Sequence, residues 1–302
     1  MATYNGARFI AEQINSLLLQ TEQNFVLHIQ DDCSSDETFS VLCDYAAKYP
    51  QKIIVHRRTE NCGGAKWNFL YLMADYQDDY VMLCDQDDVW LPNKIANTLK
   101  VMQAAENENG AETPLLVHTD LTVVNESLVI ISESLNKMLG LRMEYCVLSS
   151  QSIQNTITGC TAMYNRALAQ LIRVPQFCIV HDWWLGLIAT SFGEIVYLPE
   201  RTLLYRQHGA NSIGAKNIMS FAYIINEAFH PRKIRAQLKA TYQQAEEFLR
   251  IYGDITSPSQ KAFLSEYASI PNYGKIQRWM ILNRLRSLKS GFVRKLAQLI
   301  YI

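Results

Sequence analysis

The chain of 302 residues is 49% hydrophobic and 19% charged, with a formal net charge of −1. This composition is globular and does not suggest disorder, and the length suffices for one large α/β domain or two smaller ones. No apolar run approaches the ~20 residues that span a bilayer and no basic-then-apolar leader opens the chain, so cytoplasmic residence is expected. The seven cysteines (Cys33, Cys43, Cys62, Cys84, Cys146, Cys160, Cys178) include no C-x-x-C pair. That pattern argues against a zinc ribbon or a disulfide framework and makes most of them small core residues.

In chain order, strand and helix patterns alternate as in a doubly wound domain. Phe9 to Thr21 reads as a helix with Phe9, Ile10, Ile14, Leu17 and Leu18 on one face. Phe25-Val26-Leu27-His28-Ile29 reads as a buried strand that runs into Asp31-Asp32-Cys33-Ser34-Ser35-Asp36-Glu37-Thr38. Ser34, Ser35 or Asp36 suits the N-cap of the following helix to Lys48, but capping does not account for Asp31-Asp32 at the strand end. A strand from Lys52 to His56 comes next, then the turn Asn61-Cys62-Gly63-Gly64 and a helix from Ala65 to Asp75. The two glycines either form a plain turn or leave the helix N-terminus open to a phosphate or sugar.

The strand Tyr80-Val81-Met82-Leu83-Cys84 delivers Asp85-Gln86-Asp87-Asp88 ahead of Val89-Trp90-Leu91-Pro92. Three carboxylates so close repel one another, so either solvent or a hard divalent cation must absorb the charge. Ligands bind beyond the carboxyl ends of strands in open α/β sheets, which favours the cation. Both acidic strand ends are expected on one rim of a parallel sheet. A helix from Asn93 to Glu106 and a strand from Leu115 to Thr119 follow. Further on, His181-Asp182-Trp183-Trp184 heads a helix. There Asp182 reads either as a dipole-stabilised N-terminal acid or as a catalytic carboxylate, and the tryptophans as core or as flat faces for a sugar. A strand from Glu194 to Leu198 and a turn at Pro199-Glu200 precede Tyr205-Arg206-Gln207-His208-Gly209.

In order and spacing, Met1-Ala2-Thr3-Tyr4-Asn5-Gly6, the Asp31 to Asp36 stretch, Asp85-Gln86-Asp87-Asp88, His181 to Trp184 and Tyr205 to Gly209 resemble the inverting family 2 glycosyltransferases of the GT-A fold. The last two motifs look most like the branch with rhamnosyltransferases of surface-polysaccharide assembly. The resemblance implies an α/β, GT-A-like doubly wound, mixed and mainly parallel sheet; the catalytic domain is expected over 1–212 and a basic helical extension over 213–302, where the charge balance changes sign. It implies a nucleoside-diphosphate sugar donor, with dTDP-rhamnose favoured, and a glycan or polyprenyl-linked acceptor. Asp87 would ligate Mg2+ or Mn2+, with Asp85 on the metal or ribose, Asp88 assisting, and His208 a further ligand or donor. Asp32 would contact the nucleobase with help from Asp31, Ala2 and Tyr4 would lie along the donor, Arg206 would clamp the diphosphate, and Asp182 would be the general base.

Relatives carry several β-branched residues before the position of Met1, completing a central strand of which only Met1-Ala2-Thr3 remain here. Its loss is expected to leave neighbouring backbone groups unpaired, and a misassigned chain start is the favoured reading over an impaired protein. Charge divides the chain near Asn211-Ser212-Ile213-Gly214: residues 1–210 hold 14 Lys+Arg against 24 Asp+Glu, and residues 211–302 hold 14 against 5. Lys275 to Ile302 contains seven cations, no acid and interleaved apolar residues. This basic amphipathic pattern fits an interfacial helix on an anionic membrane, placing the protein peripherally on the inner face of the plasma membrane. Nucleic-acid binding is the competing use of such charge and is not expected here. Two further classes share parts of the pattern. A nucleotidyltransferase would need a basic Gly-rich phosphate loop, of which Asn5-Gly6-Ala7-Arg8 is a poor version. A non-catalytic membrane-associated scaffold would not need Asp87 and Asp182.

Overall fold

The computed structural model describes residues 1–141, 143, 146–209 and 230–302. The chain forms two compact units. The first draws on Met1–Leu135, Thr158–Ile172 and Val196–Gly214, the second on Asn136–Ile157, Arg173–Ile195 and Ala215–Ile302. The boundary expected near residues 212 and 213 lies outside the described residues.

The first unit opens with β1 (Ala2–Thr3), α1 (Ile10–Leu18), β2 (Leu27–Asp31), α2 (Thr38–Lys48), β3 (Ile53–Arg57) and α3 (Ala65–Asp75). The strands form a parallel sheet in the order β1-β2-β3, with Thr3 opposite Asp31 and Asp31 opposite Arg57. Parallel pairing requires crossover connections, and α1 and α2 supply them. The short first strand is buried and bonded. Gln30 N–H donates to the Met1 carbonyl at 3.0 Å, Asp32 N–H donates to the Thr3 carbonyl at 2.9 Å, and the Asn68 amide from α3 reaches the Gln30 carbonyl at 3.1 Å. Of the three residues expected to cap α2, Ser34, Ser35 and Asp36, it is Asp36 whose Oδ1 accepts from Thr38 N–H at 3.0 Å. Cys33, at φ 62°, supplies the left-handed residue that turns the chain out of β2.

A second sheet holds β4 (Tyr80–Met82), β5 (Val89–Trp90), β6 (Leu115–Asn125), β7 (Ile130–Ser132), β8 (Ala162–Asn165) and β9 (Glu194–Gln207), with α4 (Lys94–Asn109) after β5. Its order is β4-β8-β6-β9-β5, with β7 on β6. The α/β class and mixed sheet stand, but the parallel share is smaller than expected. The β4–β8, β6–β8, β6–β7 and β5–β9 pairs are all antiparallel. The two acidic strand ends therefore belong to separate sheets and not to one parallel rim. Leu115, Val117, Met102 and Met163 are packed where α4 lies on β6 and β8. His118, on β6, is fully buried, and burial lowers its pKa to about 4, so it is a neutral core imidazole. The turn expected at Pro199-Glu200 is absent, because β9 runs through both residues. They are exposed there, while the registered pairing with β5 lies at Leu203 and Leu204.

The second unit contains α5 (Leu135–Leu139) in large part, α6 (Leu148–Ile153) and α8 (His181–Phe192), the short α7 (Arg166–Ala169) belonging to the first unit. Its C-terminal helices are α9 (Pro231–Tyr252), α10 (Pro258–Ser269), α11 (Lys275–Arg284) and α12 (Phe292–Tyr301). Ser257 and Gln260 form a capping box before α10, and Pro258 occupies the first turn, where a missing N–H costs nothing. The aromatic core consists of Trp184, Phe248 and Tyr252, with the Trp184 and Phe248 ring centroids 5.6 Å apart. The single interfacial helix expected over the basic tail is instead two helices, broken between them by Arg286 at φ 53° and Gly291 at φ 82°. Among the described residues no helix is long and apolar enough to cross a membrane.

Candidate active site

In the first unit, the loop Tyr4 to Ala7 links the two acidic segments. Asn5 N–H donates to Ser34 Oγ at 2.9 Å, and Ser35 N–H returns to Asn5 Oδ1 at 2.8 Å. On the other side Gln86 reads Tyr4 as a strand would. Its Oε1 accepts from Tyr4 N–H at 2.8 Å, and its Nε2 donates to the Tyr4 carbonyl at 3.1 Å. Gly6 leaves room for this, since a Cβ there would stand 2.4 Å from Gln86 Cδ. The structure thus brings Ala2, Tyr4, Asp31 and Asp32 together with the Asp85 to Asp88 tetrad. Ala2 is buried within β1, while Tyr4 is half exposed.

Asp31 and Asp32 have different environments. Asp31 is fully buried and internally braced. It accepts Ser34 N–H at 3.0 Å and Ser34 Oγ–H at 2.5 Å, and Arg57 Nε lies 3.6 Å away. Asp32 faces the Asn61 to Gly64 turn, where Cys62 N–H donates to its Oδ1 at 2.8 Å and the Cys62 thiol to its Oδ2 at 3.0 Å. Burial and the Asp32 charge push that thiol up to about 11, so it is a protonated donor.

The three tetrad carboxylates also divide. Asp88 is buried, accepts from Arg206 N–H at 3.1 Å, and neighbours the buried Cys160. Burial first, then the charges of Asp85 and Asp87, hold its carboxyl well above the ordinary carboxylate range. Ligand atoms of Asp85, Asp88 and Cys160 lie within 4.8 Å of one another. Burial drives the Cys160 thiol well up, so it offers a hard cation little, whereas carboxylate oxygens suit one. Asp87 turns the other way, with its Oδ2 2.8 Å from His208 Nε2. This histidine also packs its ring 4.8 Å from the Phe9 ring.

Arg206 is 2% exposed and held on several sides. Its Nε donates to the Asp87 carbonyl at 2.8 Å and its Nη1 to the Glu126 carbonyl at 2.5 Å, its Nη2 pairs with Glu12, and the guanidinium lies 4.6 Å from the Phe9 ring centroid. These contacts make it a buried brace beneath the Asp87 backbone, at the position where the resemblance implies a charge clamp on the diphosphate. Glu12, Glu126, Gln86 and Cys62 were not singled out from sequence as site residues. Gln86 has a signal in its place inside the tetrad, and Cys62 in the Gly63-Gly64 turn that follows it.

In the second unit, Asp182 lies in the first turn of α8 and is 8% exposed. Its Oδ1 accepts from Trp183 N–H at 2.7 Å and from Asn155 Nδ2 at 2.9 Å. Trp184 is wholly buried, its indole N–H bonded to the Arg173 carbonyl at 3.2 Å, so of the two tryptophans it is the core residue. Trp183 is half-buried and donates its indole N–H to the Gln151 carbonyl. His181 is buried, and burial lowers its pKa to about 3, keeping it neutral.

Residues 1–170 match the family model described as Glycosyl transferase family 2. The dTDP-rhamnosyl transferase RfbG of Shigella flexneri is 28% identical over 229 residues, which cover 71% of this chain and 74% of that protein. The putative teichuronic acid biosynthesis glycosyltransferase TuaG of Bacillus subtilis is 27% identical over 234 residues, covering 76% and 87%. Among solved structures, S. aureus TarS 1–349 in complex with UDP-GlcNAc has a TM-score of 0.52 at 15% identity, over 99% of this chain and 88% of that one, which shows a shared fold. With its carboxylate-tipped strands in an α/β frame and more than half of its length matched by the family model, the chain belongs to glycosyl transferase family 2 and is a glycosyltransferase.

Proposed function

We propose that the protein transfers a glycosyl group, with inversion, from a nucleoside-diphosphate sugar to a hydroxyl of a glycan or polyprenyl-linked glycan in surface-polysaccharide synthesis, with dTDP-rhamnose the favoured donor. The observation that carries the reading is the Asp87–His208 pair, a carboxylate and an imidazole 2.8 Å apart, joined through Gln86 to the loop that bears Tyr4 and bonds Ser34 and Ser35 just beyond Asp32. The likeness to the RfbG rhamnosyl transferase supports the choice of sugar.

Each residue then has a task. Asp32 accepts from the nucleobase in the place where it now accepts from Cys62, with Asp31 holding the turn. Ala2 and Tyr4 line the donor through their backbone. Asp87, Asp85 and His208 would hold Mg2+ or Mn2+, an oxygen-rich set with one imidazole that fits either ion. Such an ion stabilises the negative charge of a departing diphosphate. Arg206 keeps the Asp87 backbone in place. Asp182 takes the acceptor proton as the acceptor oxygen bonds to the anomeric carbon and the bond from that carbon to the diphosphate oxygen breaks. Incubating the purified protein with a panel of nucleotide sugars, a polyprenyl-linked acceptor and Mn2+ tests this. Release of nucleoside diphosphate with dTDP-rhamnose is expected. Release of pyrophosphate would point to a nucleotidyltransferase, and release of neither product to a scaffold.

We also propose that the second unit meets an anionic membrane, placing the enzyme peripherally on the cytoplasmic side of the plasma membrane. Ile276 and Met280 on α11, and Phe292, Leu296 and Ile300 on α12, are exposed at turn-by-turn spacing, and Trp279 Nε1 donates to the Leu299 carbonyl at 2.7 Å, tying the helices together. Lys275, Lys295 and five further cations accompany them without an acid. Each Lys or Arg near an anionic surface contributes about 1 kcal/mol. Co-sedimentation with vesicles rich in phosphatidylglycerol is expected for the unaltered protein at low salt. The Met280→Glu, Phe292→Glu double variant should lose it while staying folded, because both side chains are exposed. Unaltered protein that stays in the supernatant would overturn the proposal.

A further inference from the structure

We propose that Asn155 is a positioning residue for Asp182, aiming its carboxylate at the acceptor hydroxyl. The proposal rests on Asp182 being the general base. Asn155 follows the extended residue Gln154 after α6 and sits in a local turn of its own, its Oδ1 accepting from Ile157 N–H at 3.0 Å. With that oxygen fixed, the other end of the amide can present only its N–H groups, and Nδ2 donates to Asp182 Oδ1 at 2.9 Å. Trp183 N–H reaches the same oxygen at 2.7 Å. Two donors from separate segments, one on α8 and one on the 154–157 turn, thus converge on one carboxylate oxygen and set the rotation of the whole group.

The surrounding packing makes this aim rigid. The indole N–H of Trp183 donates to the Gln151 carbonyl, and the Gln151 amide donates to Thr156 Oγ1. Gly186, one turn along α8, has no side chain where a Cβ would stand 2.7 Å from Ile157 Cδ1 and 3.2 Å from Gln151 Oε1. The side chains of Ile157 and Gln151 thus pack against the bare face that Gly186 leaves on α8, in the segment that brings Asn155 to Asp182. A general base acts only when held within hydrogen-bonding distance of the proton it takes, and small displacements of a positioned group are costly in rate.

Two substitutions separate aiming from simple bracing of the turn. Asn155→Asp keeps an acceptor for Ile157 N–H but replaces the N–H donor facing Asp182 with a repelling oxygen. Asn155→Ala removes both bonds. If Asn155 positions the base, kcat should fall roughly 10- to 100-fold in both variants, with Asn155→Asp at least as impaired as Asn155→Ala, while the donor KM stays within about twofold. If Asn155 only braces the turn, Asn155→Asp restores kcat to the unaltered level, and that result overturns the proposal. Thermal unfolding and donor binding, measured on the same samples, show whether each variant is folded. Should Asn155→Asp not fold, Asn155→Ala decides alone, and an unchanged kcat in it would overturn the proposal. Asp182→Asn is measured in parallel. If it keeps near-full turnover, the base assignment fails and takes this inference with it. If it is inactive while Asn155→Asp is fully active, only the positioning role fails.

Discussion

Asp182→Asn is expected to lower turnover by about 10²- to 10⁴-fold, the usual contribution of a positioned general base, while nucleotide-sugar affinity stays near that of the unaltered enzyme. The substitution keeps the shape of the side chain. Its amide oxygen can still accept from Trp183 N–H and from Asn155 Nδ2, the bonds that fix Asp182 at 2.7 and 2.9 Å, so the start of α8 should keep its geometry. What the amide cannot do is carry away the acceptor proton. Neighbouring His181 is a poor substitute, because burial lowers its pKa to about 3 and leaves it with little affinity for a proton. Steady-state kinetics with donor titrated at saturating acceptor separates the two parameters. A loss in donor affinity without a loss in kcat would place Asp182 in donor binding instead.

How much of this was legible in the sequence depends on how local each feature is. The helix from Ala65 to Asp75 and the strand starting at Tyr80 fall where hydrophobic periodicity puts them, because alternation and helical spacing are properties of neighbours. The acidic strand ends are visible for the same reason. Their pairing is not: β4 lies beside β8, some eighty residues later, and long-range partners of this kind, in the β4–β8, β6–β8 and β5–β9 pairs, give the second sheet its antiparallel pairing. Pro199 reads as a turn residue, yet β9 passes through it where the strand is exposed, so a missing N–H costs the strand nothing there. The tetrad shows the limit most clearly. Asp87 and Asp88 are adjacent, but one meets His208 and the other a buried backbone N–H and a thiol, all from distant segments. No spacing rule distinguishes Trp184 in the core from half-buried Trp183, or reveals that Arg206 is a buried brace. In the tail, the break between α11 and α12 had a local signal in Gly291, which the continuous basic pattern concealed.

The tetrad also yields the sharpest contrast in donor binding. Asp87→Asn is expected to abolish metal-dependent binding of the nucleotide sugar, whereas Asp88→Asn should change it only a few-fold. The two residues are neighbours in sequence and identical in chemistry, so the difference must come from their surroundings. Asp87 presents Oδ2 beside His208 Nε2, and a carboxylate there supplies the negative charge that a divalent cation needs; its amide counterpart is a far weaker ligand for a hard ion. Asp88 is fully buried, and burial with the charges of Asp85 and Asp87 holds its carboxyl well above the ordinary range. An asparagine in its place keeps the shape of the side chain and still offers an oxygen to Arg206 N–H, the bond that ties β9 to the tetrad at 3.1 Å. Calorimetric titration of each folded variant with dTDP-rhamnose, with and without Mn2+, measures both. Asp87→Asn protein whose donor affinity still rises with Mn2+ as in the unaltered enzyme would move the metal away from Asp87 and onto the Asp85 and Asp88 carboxylates, and a complete loss in Asp88→Asn would say the same.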